Sequence, residues 1–155
     1  MTCHVYLVKK EYKQKQKRLF NWKWGQTVKL EPRQRSTSYV DCYRWEPLPC
    51  KENALRFERI MEEVMWLAAG QQAFKSMYRL HTRGKWKCRK GNTTPEEVGS
   101  HMDLDLVMAV WDVVFRFVSG PVKVLTMDEL YGLTFQAWQL ASEYKQLKKE
   151  PEPMW

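Results

Sequence analysis

The densest concentration of chemistry in this chain is Lys9-Lys10-Glu11-Tyr12-Lys13-Gln14-Lys15-Gln16-Lys17-Arg18, which packs five lysines and one arginine into one short run. Cations at this density neutralise phosphates with release of counterions, and the flanking Tyr12, Phe20, Trp22 and Trp24 offer faces on which unpaired bases stack. A second basic cluster, Lys85, Lys87, Arg89 and Lys90, lies between Gly84 and Gly91. Lys9, Lys10, Lys13, Lys15, Lys17, Arg18 and this second cluster therefore form a candidate surface for RNA or DNA. The same run also suits a solvated loop. Trp22 and Trp24 alternate with Lys23 and share one strand face, which places them in a core under helices rather than on bases. No RNP-type, KH-type or helix-turn-helix signature accompanies the charge.

Other reactive groups are sparse. Cys42, Cys50, His81 and Cys88 could supply a tetrahedral zinc set, but they lack the short Cys-x-x-Cys clips of zinc sites, so no metal is expected. Glu62-Glu63 and Glu96-Glu97 are adjacent pairs, and neighbours on a helix point in different directions, so neither forms a convergent acid/base pair. There is no glycine-rich dinucleotide or phosphate loop, no Gly-x-Ser-x-Gly and no His-Glu-x-x-His. The chain reads as non-enzymatic, with no cofactor. Residues 1–10 lack the apolar run of a signal peptide, and the four cysteines read as reduced thiols of a cytoplasmic or nuclear protein.

The elements that would position these groups follow from periodicity. Cys3–Val8, Leu19–Trp24, Thr27–Leu30 and Tyr39–Trp45 are rich in β-branched and aromatic residues and predict three or four short antiparallel strands, with a hairpin tip at Trp24–Thr27 and the run 9–18 as a connecting loop. Pro32 and Pro47 close the last two runs. A sheet so small needs cover on one face. Leu55, Ile60, Met61, Val64, Met65, Leu67 and Ala68 recur at helical spacing over 52–70, and a second helix is expected over about 71–81. Thr94-Pro95-Glu96-Glu97 has the form of a cap, a first-turn proline and an acidic start of another helix.

The C-terminal third is helical by the same criteria. Apolar residues from Leu104 to Val118 cover nearly the whole circumference of one helix, which must be buried; Asp112 and Arg116 interrupt it, and a membrane span is not expected. Thr126-Met127-Asp128-Glu129 forms a capping box ahead of a helix that carries Leu130, Leu133, Phe135, Trp138, Ala141, Tyr144 and Leu147. Two such helices cannot make a core alone, so Leu104, Val107, Trp111, Phe115, Phe135 and Trp138 are expected at the interface with the N-terminal part, or with a second copy in a homodimer.

Between these parts stands Gly99-Ser100-His101-Met102, which has the form of the remnant of a cleaved expression tag and marks an engineered junction. Charge changes there: residues 1–98 hold 21 Lys+Arg against 10 Asp+Glu, and residues 99–155 hold 5 against 8. The domain reading is a basic α+β segment over 1–98, a linker over 99–102, and an apolar helical hairpin over 103–155 that packs on the first segment. The fold expected is α+β, a small antiparallel sheet covered by helices. The function expected is a protein-protein interaction or assembly module, captured as a tethered complex or with a native loop deleted; the alternative is a nucleic-acid-binding regulatory unit.

Overall fold

β-branched and aromatic residues carry the N-terminal part of the chain through three strands of 12, 11 and 10 residues. The computed structural model describes residues 2–14, 17–28, 39–69, 78–80, 86–88, 97–99, 102–121, 124–147 and 152–155. In chain order the elements are β1 (Cys3–Gln14), β2 (Lys17–Thr27), β3 (Tyr39–Leu48), α1 (Lys51–Ala69), β4 (Tyr78–Leu80), β5 (Trp86–Cys88), β6 (Glu97–Gly99), α2 (Leu104–Ser119) and α3 (Met127–Gln146). β3, β1, β2 and β6 form one antiparallel sheet in that order, and β4 pairs with β5 separately. The fold is α+β.

Cys3, Val5, Leu7, Trp22 and Trp24 line one face of the sheet, where they join Ala54, Phe57, Ile60, Met61, Val64 and Met65 of α1 in a single buried cluster. The two tryptophans are core residues, as their spacing implies. Val107, Met108, Val110, Trp111 and Val114 of α2 and Leu130, Leu133 and Ala137 of α3 belong to the same cluster, so the helical hairpin closes over α1. The opposite face of the sheet carries a second cluster of Tyr6, Val8, Tyr39, Cys42 and Trp45, with Trp155 packed against it.

Three expectations are corrected. Residues 9–14 and 17–18 of the basic run are strand, not loop: β1 and β2 pair as far as Gln14 with Lys17, and Gly25-Gln26 sits inside β2 instead of at a turn. Gly25 is opposite Tyr6, whose ring occupies the space a Cβ would need, so the glycine serves close packing. Where a helix is expected over 71–81, Tyr78–Leu80 is strand β4; residues 71–77 and 81 lie outside the described residues. Instead of opening a helix, Glu97 starts β6, which pairs with Asn21–Lys23. An unpaired edge of β2 offers this segment backbone partners that outweigh a local cap signal. The tetrapeptide that resembles a tag remnant is drawn into the structure at both ends: Gly99 pairs with Asn21, and the Trp22 indole N–H donates to the Met102 carbonyl at 3.0 Å.

Both C-terminal helices begin on side-chain caps. The Asp103 carboxylate accepts from the Asp105 N–H at 3.1 Å, and Thr126 Oγ1 accepts from the Glu129 N–H at 3.1 Å while donating to the Glu129 carboxylate. Gly120 ends α2, its N–H bonded to the Phe117 carbonyl. Among the described residues no helix is long and apolar enough to cross a membrane.

Candidate interaction site

A carboxylate in a helix that is apolar all round has to find a partner, and Asp112 finds two. Arg44 Nε donates to Asp112 Oδ1 at 2.7 Å and Arg44 Nη2 to Oδ2 at 2.8 Å, a two-pronged fork from β3 to α2. The Tyr144 hydroxyl of α3 donates to Oδ2 from the other side. Arg44 Nη1 also donates to the Tyr43 carbonyl. A bulge makes this reach available: the β1–β3 register slips between Leu7/Arg44 and Val8/Cys42, so Tyr43 has no partner in β1. Adjacent residues thus both serve the helix side, Tyr43 packing edge-on against Trp22 and Arg44 bonding Asp112.

The chemistry of this cluster is that of a clamp. Burial, followed by the hydrogen bond to Asp112, pushes the Tyr144 phenol up to about 12. The Asp112 carboxylate holds the Arg44 guanidinium above its usual range against the opposing effect of burial. Near neutral pH Arg44 is a fixed cation and Tyr144 a fixed donor, and neither exchanges protons. The three groups border a cleft of about 480 Å³ with Glu46, Phe115 and Arg116 on its walls.

α3 turns the rest of its length outward. Met127, Tyr131, Phe135 and Trp138 follow one another at helical spacing and are exposed, from 48% for Trp138 to 60% for Met127. Phe135 and Trp138 are therefore outside the core, whose inward stripe on α3 is Leu130, Leu133, Ala137 and Ala141. Trp138 also reaches the N-terminal part, its indole N–H donating to the Ala68 carbonyl at 3.0 Å. Val107 and Trp111 are buried as expected, and Leu104 and Phe115 pack against the core as half-buried residues. Gly132 lies within the helix between Tyr131 and Phe135 with open space where a side chain would be.

The basic residues are divided by the strand pleat. Lys9 lies over the Phe20 ring, its ammonium 4.0 Å from the centroid, while its neighbour Lys10 is placed on the opposite face in register with Tyr39. The backbone register sets Lys13 opposite Arg18, and Lys17 opposite Gln14. Lys87 lies in β5, and Lys15, Lys85, Arg89 and Lys90 fall outside the described residues. Among the described residues β1 pairs with β3 from Cys3 to Lys10 and with β2 as far as Gln14.

Of the four residues weighed for zinc, Cys42 is buried and Cys50 half-buried, His81 lies outside the described residues, and Cys88 is in β5. Among the described residues no three histidines, cysteines or carboxylates come together as a metal site. Burial pushes the Cys42 thiol up to about 12, and its Sγ–H donates to the Arg44 carbonyl.

Sequence reasoning missed Arg44, Tyr144 and the C-terminal pair Met154–Trp155. For the first two a signal existed: Asp112 in an all-apolar helix demands a cation or donor. No known protein family, curated protein or solved structure matches the chain.

Proposed function

We propose that this chain is a non-enzymatic interaction module that helps to hold a larger protein assembly together, with the outward face of α3 as its contact surface. The observation that carries this reading is the exposed stripe Met127, Tyr131, Phe135 and Trp138. Three aromatic rings and a thioether, each about half exposed, amount to roughly 400 Å² of apolar surface along one helix face, the size of the largest patch on a folded domain, which is often functional. Gly132 leaves open space beside that stripe, next to Phe135, so a partner can approach the helix closely there. The Arg44–Asp112–Tyr144 clamp supports a scaffold rather than an enzyme, since Arg44 and Tyr144 hold their protons through the neutral range.

The test is site-specific photo-crosslinking in cells from a benzoylphenylalanine at position 131, compared with one at the exposed Glu143. A discrete cross-linked protein from position 131 alone, lost when Phe135→Asp is added to a chain that still folds, is the expected result. Equal, diffuse labelling from both positions would refute the reading.

One observation favours a second reading, nucleic-acid binding: the paired ends of β1 and β2 set Lys13 in register with Arg18 and Lys17 with Gln14, and a two-stranded ribbon fits a major groove. Fluorescence anisotropy with single- and double-stranded oligonucleotides at two salt concentrations decides it. Micromolar affinity that falls with salt and disappears when Lys13, Lys15, Lys17 and Arg18 become Glu supports the ribbon as the site; no binding at low salt removes it.

A further inference from the structure

The outer edge of β3 is already occupied, and by the chain itself. Cys42 N–H donates to the Trp155 carbonyl at 2.9 Å, and the Met154 N–H donates to the Cys42 carbonyl at 2.5 Å. Two residues of the tail thus oppose one residue of the strand, which is the pattern of a bulged antiparallel bridge. The Trp155 side chain packs against the cluster of Tyr6, Val8, Tyr39, Cys42 and Trp45 on the sheet face turned away from α1. Backbone pairing at a sheet edge combined with one anchored side chain is how strand-addition sites bind extended peptides.

We propose that the β3 edge and its aromatic cluster form a peptide-binding site, held in cis by Met154–Trp155, whose external ligand is an acidic, proline-restrained extended segment that delivers an indole. The sequence that leads into Met154–Trp155 defines the ligand chemistry. Pro151 and Pro153 bias the tail to extended backbone, and Glu150 and Glu152 make it acidic. The receiving face is basic: Lys23 reaches over the Tyr39 ring at 5.6 Å from its centroid, and Lys10 is in register with Tyr39. The indole slot is stacked ring on ring, with Trp45 lying on Tyr6 at 5.6 Å and on His4 at 5.9 Å between centroids.

The cis occupant is also poorly satisfied. Among the described residues, the Trp155 and Trp45 indole nitrogens and His4 Nδ1 are buried without a hydrogen-bond partner. Burying donors unpaired penalises the closed state, so the tail is retained mainly by the high effective concentration its attachment confers. A tethered ligand of this kind yields to a partner that supplies a better-bonded segment. The clamp of Arg44, Asp112 and Tyr144 fixes the last turn of α3 beside β3, and so sets where the tail departs. This site stands independently of the α3 face.

The probe is the synthetic hexapeptide of residues 150–155, labelled at its amino end, with a control in which its tryptophan is alanine. The full-length Trp155→Ala chain is expected to bind the probe at least tenfold more tightly than the wild-type chain does, and to discriminate at least tenfold against the control peptide. Met154→Pro, which removes one backbone donor and keeps the indole, is expected to give an intermediate gain. In the wild-type chain, millimolar unlabelled peptide should shift the Trp155 indole N–H resonance by displacing it. The proposal is overturned if a folded Trp155→Ala chain binds neither peptide or binds both alike. Should that variant not fold, failure of the Met154→Pro chain to gain affinity, or an unmoved Trp155 resonance in the wild type, overturns it equally.

Discussion

Asp112 is the residue on which three elements agree, because its two oxygens take Arg44 of β3 and Tyr144 of α3 from a position on α2. Its side chain is 17% exposed and that of Arg44 28%, so the pair lies between a surface ion pair, worth little, and a buried one, costly to break. Asp112→Ala is therefore expected to destabilise the fold by about 2–3 kcal/mol, measured by urea denaturation, with most of the loss arising from the guanidinium left without its partner. Alkaline titration probes the same cluster. The Tyr144 phenol is raised from 10.0 to about 12, and the Cys42 thiol from 9.0 to about 12, both chiefly by burial. A group raised on folding gives its full contribution below its unfolded value and loses it as pH climbs through the folded one. Stability should thus fall between about pH 9 and 12 and do so less steeply in a Tyr144→Phe, Cys42→Ala chain. Parallel urea midpoints for the two chains across that range would show that neither group carries the effect.

At the scale of elements, legibility tracked whether the signal was local. The capping box at Thr126 and Glu129, the acidic start of α2 and most of the inward stripe of α1 are properties of a few consecutive residues, and the structure contains them, except that Leu55 is 42% exposed while Ala54 and Phe57 are buried in its place. β4 and β6 were not legible, since three-residue strands owe their existence to a partner and not to their own sequence. Arg44 escaped notice for a similar reason. Period-two alternation puts it opposite in sense to Tyr43, and only a bulge in the β1–β3 register brings both to the helix side. α3 misled in another way: its apolar residues form two stripes, and sequence alone does not say which is covered. Two substitutions exploit what is now visible in that helix. Thr126→Ala removes the cap and should cost about 1 kcal/mol. Gly132→Ala fills open space in a helix interior and should add roughly 0.5–1 kcal/mol in thermal or urea unfolding. If the alanine stabilises the free chain yet weakens its cross-linked partner, the glycine is kept for contact.

For the molecule as a whole, the decisive fact is that the basic N-terminal part and the acidic C-terminal part share one core. Phe57 of α1 meets Trp111 of α2 edge to face at 5.2 Å, and Trp111 stacks on Phe115 at 5.1 Å. Trp111 is 2% exposed, and the cluster around it draws on the sheet and all three helices. Neither part can shed the other without exposing the inward faces of α1 and α2 together, so unfolding should be a single cooperative transition by both tryptophan fluorescence and circular dichroism. Trp111→Ala opens a cavity where these parts meet, and a loss of about 3–5 kcal/mol is expected, a large share of the stability of a domain this size. Cutting the chain by a protease site placed at residues 100–101 separates connection from packing. The two pieces of the wild-type chain should co-elute in gel filtration, since the shared core survives the cut, whereas those of the Trp111→Ala chain should part. Two well-separated transitions in the uncut protein, or wild-type pieces that drift apart after cleavage, would mean that the hairpin merely leans on α1 and that the fold is two units held by their linker.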